Sequence, residues 1–450
     1  MPSSELSNSK KKSKNTKPES NSESIKQPVP FKIVLAVWVL RIICGSVFVF
    51  SGWAKAVDPW GTVFKLNDYN QALGAFLPHE MIVVGAFLLS ALEFAIGVMV
   101  LIGAFKRLAP WMLTVFMIVM TPITVWIFFA EPVADCGCFG DALIISNGAT
   151  LIKNVILLGA SIALLRLSKK VKGIVKPAIQ WIALVVSITY PLCLSLYGYI
   201  IQPLVDFRPF AVGQPISHVE NSLQPRYIYS KGGEEVSFAV DSLPDDDSWT
   251  FVRREEPDKG NSHAEFVVID NDGNDITADL MDESDNGMML LCVSEPAAHG
   301  ISRSHMANQL YKYLDYRDIP MIAVVASDNL SEWSYKVEAE YPVYFAEDTD
   351  IKTLVRGNAA LVYVKNDTVQ WKYSLYSIDP ELVPSDDNNT DVNVIDTIRP
   401  VEKTNVLLYI SGLYIIVIAV LIAISAVVTT TDKKEQSEGN SVNSDAVTQE

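Results

Sequence analysis

Cys136 and Cys138 stand one glycine apart in the stretch ADCGCFGDA, between two long apolar runs. Two thiols at that spacing can serve as a redox-active or exchangeable pair, as an inert structural disulfide, or as two thiolate ligands for a soft metal such as Cu(I) or Zn²⁺. Closing the bond requires alpha carbons within roughly 4.4 to 6.8 Å and converging beta carbons, which an extended strand forbids and a bend allows. Gly137 permits that bend. The ring so formed is small and expected to be strained, hence easily reduced, as an exchange catalyst wants. The flanking Asp135 and Asp141 act the other way, because nearby negative charge raises a thiol pKa and slows attack by the reduced form. A metal pair would need two more ligands, and His79 is the only histidine ahead of the C-terminal soluble region.

Four further charges lie in or beside apolar runs. Arg41 sits in VLRIICG and Glu93 in SALEFAIGV, each within a membrane-length segment. A charge at mid-bilayer costs roughly 2.5 to 3.5 kcal/mol on insertion scales, so both should face protein rather than lipid. At about 1.5 Å per residue each lies on the order of 15 Å from the cytoplasmic end of its helix, which predicts an Arg41–Glu93 ion pair. Just beyond the first run, SGWAKAVDPWG offers Trp53, Lys55, Asp58 and Trp60 at headgroup depth, where such anchors are common; Lys55 is close enough in sequence topology to tune the thiols. Cys44 and Cys193 fall inside apolar runs and read as small hydrophobes.

The elements that must position these groups follow from hydropathy and charge. The chain has 450 residues, 49% hydrophobic, yet a formal net charge of −16, so apolar and acidic residues must be segregated along it. Apolar runs long enough to cross about 30 Å of hydrocarbon occur at about 32–53, 81–103, 109–130, 149–167, 178–202 and 405–428. KKKSK precedes the first, FKR joins the second to the third, RLSKKVK joins the fourth to the fifth and DKK follows the sixth. All four basic clusters fall on one side, which predicts a multi-pass protein of a bacterial inner membrane with both termini cytoplasmic. The loop with Cys136 and Cys138 and the acidic block 203–404 are then extracytoplasmic, where a dithiol can oxidise and stay oxidised. Residues 1–30 and 429–450 read as disordered tails, the former basic; beside a span KKKSK sets orientation or touches anionic lipid rather than nucleic acid. No cleavable signal peptide is expected, because the first apolar run is too long. Pro122 and Pro191 should bend the third and fifth spans.

The pattern from RIICGSVFVFSGWAKAVD through DYNQALGAFLP and LLSALEFAIGVMVLIGAFKR to DCGCFGD resembles the methylamine-utilisation MauE family, within the wider group of DoxX-like membrane proteins, over about residues 32–167. The resemblance implies a four-helix bundle and a part in making disulfides during maturation of a periplasmic dehydrogenase subunit. It carries over Arg41, Ser51, Gly52, Lys55, Tyr69, Glu93, Cys136, Cys138 and Gly140. The chain departs from the short family form by adding a fifth span, a large outer domain and a sixth span.

From about 263 to 378 the pattern resembles a thioredoxin-like domain of the peroxiredoxin or TlpA kind. EFVVID, the turn NDG and DIT suggest a hairpin, MMLLCVS a buried strand, SRSHMANQLYKYL a helix, PMIAVVAS a second strand, and ALVYVKNDTVQWKYS a closing hairpin. SEPAAHG stands where a Cys-x-x-Cys would follow the first strand, and Asn358, Ala359 and Ala360 where a cis-proline would precede the last hairpin. Cys292 belongs to the strand pattern and reads as core. Residues 203–262 are a β-leaning lead-in and 379–404 a linker.

The expected fold class is therefore an α-helical membrane protein, a four-helix bundle plus two further spans, carrying an extracytoplasmic α/β thioredoxin-like domain. The expected function is thiol–disulfide exchange or maturation of a periplasmic client, with Cys136 and Cys138 reacting and Arg41, Lys55, Glu93 and Tyr69 supporting. Cycling such a pair requires an electron acceptor, for which a quinone is a candidate that no residue specifies. The rival readings are a non-catalytic scaffold, in which the pair only staples a loop, and a small-solute transporter using the polar residues and proline kinks.

Overall fold

The computed structural model describes residues 29–133, 135–216, 226–231, 234–238, 249–255, 266–282, 286–298, 301–379, 381, 383, 395, 398 and 403–447. The basic run KKKSK, the acidic LPDDDSW up to Ser248 and most of the 379–404 linker lie outside them. Among the described residues, six helices are long and apolar enough to cross a membrane. They are α1 (Phe31–Val57), α3 (His79–Leu101), α4 (Leu108–Ala130), α5 (Asn147–Leu167), α6 (Pro177–Ile200) and α11 (Lys403–Val447). The last continues as helix beyond its apolar part, which ends at Thr431. The connection after α1 contains a helix of its own, α2 (Pro59–Ala72). Asp58 starts it by accepting a hydrogen bond from Gly61 N at 3.2 Å, with Pro59 in the first turn, a favoured way to open a helix.

α1 and α3 form the centre of the bundle, and small residues let them touch. A β-carbon on Gly52 would lie 2.4 Å from Phe94 N and 2.7 Å from Ser90 O, and one on Gly97 2.6 Å from Val49 N. With no hydrophobic drive between helices inside lipid, such close backbone approach is what holds them together. α11 joins through hydroxyls: Tyr190 OH and Ser411 Oγ are 2.8 Å apart, Ser187 Oγ and Tyr414 OH 3.0 Å, and the two tyrosine rings stack at 4.4 Å. At one end of the bundle, the basic end, the α3–α4 and α5–α6 connections and α11 meet. Ile174 N donates to Ile102 O at 2.9 Å, Ser168 Oγ to Lys106 O at 2.8 Å and Lys176 N to Ser425 Oγ at 2.8 Å. The Cys136–Cys138 loop and α2 occupy the other end, the disulfide end, together with the described segment between α6 and α11 that packs on them.

That material folds into a C-terminal α/β region. β1 (Arg226–Lys231), β2 (Glu234–Phe238) and β3 (Thr250–Glu255) make an antiparallel sheet in the order β2-β1-β3. A second sheet has the order β6-β5-β4-β7-β8, built from β4 (Met288–Val293), β5 (Met321–Val325), β6 (Val343–Phe345), β7 (Ala360–Lys365) and β8 (Thr368–Ser374). β4, β5 and β6 run parallel, whereas β7 is antiparallel to β4 and to β8. Both faces are covered, which is why MMLLCV is continuously apolar rather than alternating. Met289, Leu291 and Val293 pack against α8 (Ile301–Asp315) and α9 (Leu330–Val337). Leu290 and Cys292 face the opposite way, toward Ile351 and Leu354 of α10 (Asp348–Leu354). Cys292 is fully buried and its thiol is pushed up to about 12 by that burial, so it is core, as its strand position suggested.

The closing hairpin turns at Asn366 and Asp367, both at positive φ (51° and 56°), the primed geometry that matches strand twist. The earlier hairpin is reduced to one bridge, Ile269 to Asp275, because Thr277 opens α7 (Thr277–Asp282) instead of continuing a strand. Thr277 Oγ1 donates to Asp275 Oδ1 and accepts from Val268 N, a side-chain arrangement that replaces ladder bonds. The Asn358–Ala359 peptide bond, directly ahead of β7, is cis.

Candidate functional site

The loop after α4 is shaped by two glycines. Gly137 and Gly140 have φ of +62° and +56°, conformations that a side chain disfavours, and Gly140 N donates to Gly137 O at 3.0 Å. The bend brings the alpha carbons of Cys136 and Cys138 to 5.4 Å and the pair is joined as a disulfide. Asp135 tightens the turn by accepting from Gly137 N at 2.7 Å while holding Lys65 of α2 at 2.9 Å.

Beneath the loop, a buried polar triad reaches up from the bundle. Lys55 Nζ has three protons and three acceptors: Ser51 Oγ at 2.8 Å, Glu93 Oε2 at 2.7 Å and the Cys138 carbonyl at 2.6 Å. Ser51 Oγ, also 2.6 Å from Glu93 and 2.5 Å from the Cys138 carbonyl, has one proton to share between those acceptors. A Ser–Lys contact can act as nucleophile and base, but here Glu93 pairs with an ammonium and Lys55 is a clamp rather than a proton acceptor. Tyr69 OH donates to the Cys136 carbonyl at 2.9 Å. Burial, with Asp135 and Asp68 adding to it, pushes that phenol further up, so Tyr69 acts as a donor and stays protonated. Each cysteine is therefore held by its own backbone oxygen, from Lys55 and Ser51 on α1 and from Tyr69 on α2, leaving both sulfurs free of those bonds.

The expected Arg41–Glu93 pair does not form, and helix register is the reason. The close contacts of Gly45 with Gly97 and Leu101 and of Gly52 with Phe94 and Ser90 set Glu93 opposite Ser51, ten residues along α1 from Arg41. Arg41 lies at the basic end, where it donates to the Val171 and Lys172 carbonyls at 3.3 Å each and sits 4.8 Å from the Trp38 ring. Of the residues singled out from sequence, Lys55, Glu93, Tyr69, Cys136 and Cys138 converge and Arg41 does not. His79 lies beside Trp60 and Tyr199, and among the described residues no group of three His, Cys, Asp or Glu side chains is placed to hold a metal.

Sequence reasoning missed the contact between the loop and the α/β region. Arg356 is buried where Asp58, Asp141 and Gln202 meet. Its Nη2 and Nε donate to Asp58 Oδ2 at 2.9 and 3.2 Å, Nη2 also reaches Asp141, and Nη1 donates to Lys352 O at 2.9 Å. Arg208 Nε adds a second cation to Asp141 at 2.9 Å. Burial opposes the charge on Arg356, but Asp58 and Asp141 outweigh it and hold the guanidinium above its ordinary range. Asp58 moves the other way from a simple ion pair, since its complete burial pushes the carboxyl up more than Arg356 pulls it down. The guanidinium is the charged partner on which the cluster rests, because a group held above its already high ordinary range stays protonated at every accessible pH. Beside it Gly357 packs on the Trp60 ring at 3.2 Å from its would-be β-carbon, and Trp60 stacks on Tyr199 at 4.5 Å. Asp141 is three residues past Cys138, so the α/β region grips the disulfide loop itself.

Comparison with known proteins agrees with this anatomy. Residues 224–257, which include β1 to β3, match a family described as a domain of unknown function, DUF8463. No curated protein and no solved structure matches the chain. Residues 33–167, which hold nearly all of α1 and α2 to α5 with Ser51, Lys55, Tyr69, Glu93 and both loop cysteines, match the family model of methylamine utilisation protein MauE, so over this segment the chain is a MauE-like membrane protein.

Proposed function

We propose that the protein is a membrane-anchored thiol–disulfide exchange protein, with Cys136–Cys138 as the exchanging bond and an extracytoplasmic client as its substrate. The observation that carries this reading is the disulfide at the end of the bundle, seated on carbonyl clamps from Lys55, Ser51 and Tyr69 rather than tied through its sulfurs. A client dithiol would deliver two electrons, its sulfurs joining as the Cys136–Cys138 bond opens to two thiols. The orientation is supported by the Lys and Arg residues gathered at the opposite end of the bundle, which favour a cytoplasmic basic end and an oxidising disulfide end. Methylamine utilisation is the setting of the family by name, and the additional α/β region argues for a client of this chain's own. That region supports a thioredoxin-like reading by its strand order, parallel β4 to β6 followed by an antiparallel hairpin, and it has no Cys-x-x-Cys after β4. Its role is to bind or position the client.

A second reading has its own observation. The Arg356 cluster and the Gly357–Trp60 contact join the α/β region to the bundle, as a scaffold would require. One experiment separates the two. Cys136→Ala and Cys138→Ala, expressed in the native host, should each retain a thiol; the exchange reading expects a mixed disulfide with a partner protein in at least one of them. Absence of adducts from both, with Cys136→Ser/Cys138→Ser leaving cellular disulfide formation unchanged, would reject exchange and leave the scaffold. Labelling of the reduced pair by a membrane-impermeant thiol reagent in intact cells tests the orientation.

A further inference from the structure

Lys153 has no place in the clamp, yet it is aimed at the same loop. It lies in the apolar run ATLIKNVILLG on α5, six residues past Asn147 and so about 9 Å down the helix. A lysine there is costly unless it faces protein and has a task. Its Nζ stands 4.1 Å from the centre of the Phe139 ring and, among the described residues, makes no hydrogen bond. Together with Ser51, Glu93, Cys138, Phe139 and Asn154 it lines a cavity of ≈ 30 Å³, room for a group the size of one water.

The charges around that cavity do not balance while the disulfide is closed. Glu93 from α3 is already neutralised by Lys55 from α1 at 2.7 Å. In the loop, Asp135 is held by Lys65 and Asp141 by Arg208 and Arg356. Among the described residues, Lys153 from α5 is left as the cation with no carboxylate in ion-pair contact, attracted only at longer range by Glu93 and repelled by Lys55. Cys136 has a more apolar setting: it is buried with Ile127 and Val133 in a cluster that Tyr69, Trp126 and the half-buried Cys138 only border, so a thiolate at Cys136 would find less to stabilise it.

We propose that Lys153 is the counter-charge for Cys138 in the opened pair, so that Cys138 departs as thiolate and the client becomes bonded to Cys136. This rests on the exchange reading for its client step, while the charge assignment concerns the reduced protein alone. In the step, a client thiolate attacks Cys136 Sγ, the Cys136–Cys138 bond breaks and its electron pair goes to Cys138 Sγ beside the Lys153 ammonium. The client's second thiolate then attacks its own sulfur in the mixed disulfide, the client disulfide forms and Cys136 leaves as thiolate, to be protonated by water. A low-pKa sulfur is the better leaving group in such exchange, which gives the two cysteines separate duties.

The test uses the full chain, reduced and held in nanodiscs, with iodoacetamide alkylation of Cys136 and Cys138 followed separately by mass spectrometry across pH. Cys138 should become reactive at lower pH than Cys136. Lys153→Met should raise the Cys138 midpoint by about one pH unit or more, slowing its alkylation near neutrality about tenfold, and leave Cys136 in place. Lys153→Arg, which keeps the charge, should restore the original order. The proposal is overturned if Cys136 is the more acidic thiol in the unmodified protein, a result that needs no variant. It is also overturned if Lys153→Met moves neither cysteine, or both alike. Failure of the client trap with the acid order of the thiols intact removes exchange but not the Lys153 assignment; trapping with Lys153→Met behaving as wild type does the reverse.

Discussion

Replacing Arg356 by Met would remove the guanidinium that joins the α/β region to both Asp58 and Asp141. Asp58 and Arg356 side chains are each 3% exposed, so methionine, although similar in length, leaves a buried carboxylate with no cation. Breaking one side of a buried ion pair costs about 3–5 kcal/mol. At 1.4 kcal/mol per factor of ten, docking at this contact should weaken by roughly two to three and a half powers of ten. Part of this is recoverable, because Asp141 keeps Arg208. Hydrogen–deuterium exchange of the protein in nanodiscs reads the effect directly. Arg356 N donates to Gln202 Oε1 at 3.2 Å and Gly61 N to Asp58 at 3.2 Å, so peptides covering 352–358 and 58–64 should lose protection. Peptides from β4 and β5 should not change. Adding Asp58→Asn to Arg356→Met should return part of the protection by deleting the stranded charge. Exchange at 352–358 that stays within about twofold of wild type would refute the claim that this cluster holds the two regions together, since a loss of about 3 kcal/mol corresponds to far more than that.

Two further outcomes test the packing and the electrostatics. Gly52→Ala should lower the thermal midpoint of the bundle, because its β-carbon would press on backbone atoms of Phe94 and Ser90; the expected cost is about 1–3 kcal/mol. Gly159→Ala, with nothing within 4 Å, is the control and should be neutral or slightly stabilising; equal behaviour of the two would discount the α1–α3 contact. Lys372→Met should cost about 3 kcal/mol at neutral pH by stranding Asp206, its partner at 2.7 Å. The two members of this pair respond differently: burial dominates at Lys372 and lowers it, while at Asp206 burial is outweighed by Lys372 and the carboxyl is held below its usual range. The carboxylate sets the acid behaviour, as Lys372 remains charged there. A depressed carboxylate contributes stability above its unfolded value of about 3.9 and loses it as pH falls through the lower folded value. Denaturation of the wild type followed from pH 6 to about pH 2 should therefore show an acid loss at the α/β region that Lys372→Met flattens. An unchanged acid limb in the variant would place the effect elsewhere.

Legibility in the sequence tracked how local the determining physics was. Each span declares itself through some twenty consecutive apolar residues, since the bilayer imposes that length whatever the neighbours do. The strands MMLLCV, MIAVV and ALVYVK were readable because burial on both faces demands unbroken apolar runs, and the Asn366–Asp367 turn because few residues accept positive φ. Cys136 and Cys138 were legible as a pair from spacing alone. Arg41 and Glu93 were misread as partners because depth was counted from helix ends, whereas Gly45, Gly52 and Gly97 fix how far α3 slides along α1. Lys153 was visible as a charge in an apolar run and was passed over.

What no local pattern contains is which distant groups meet. Arg356 and Asp58 are 298 residues apart in sequence, Arg356 and Asp141 215, and neither separation nor residue type singles them out among the chain's many Asp and Arg residues. Composition and periodicity determined that this chain has six helices long and apolar enough to cross a membrane, bends a dithiol loop on glycine and carries an acidic α/β region. The tertiary structure alone decided that Lys55, not Arg41, meets Glu93, and that Arg356 closes over the disulfide loop. Hydropathy is a property of each segment and can be summed along the chain, while ion pairing depends on register and docking, which exist only once the helices and the sheet are packed.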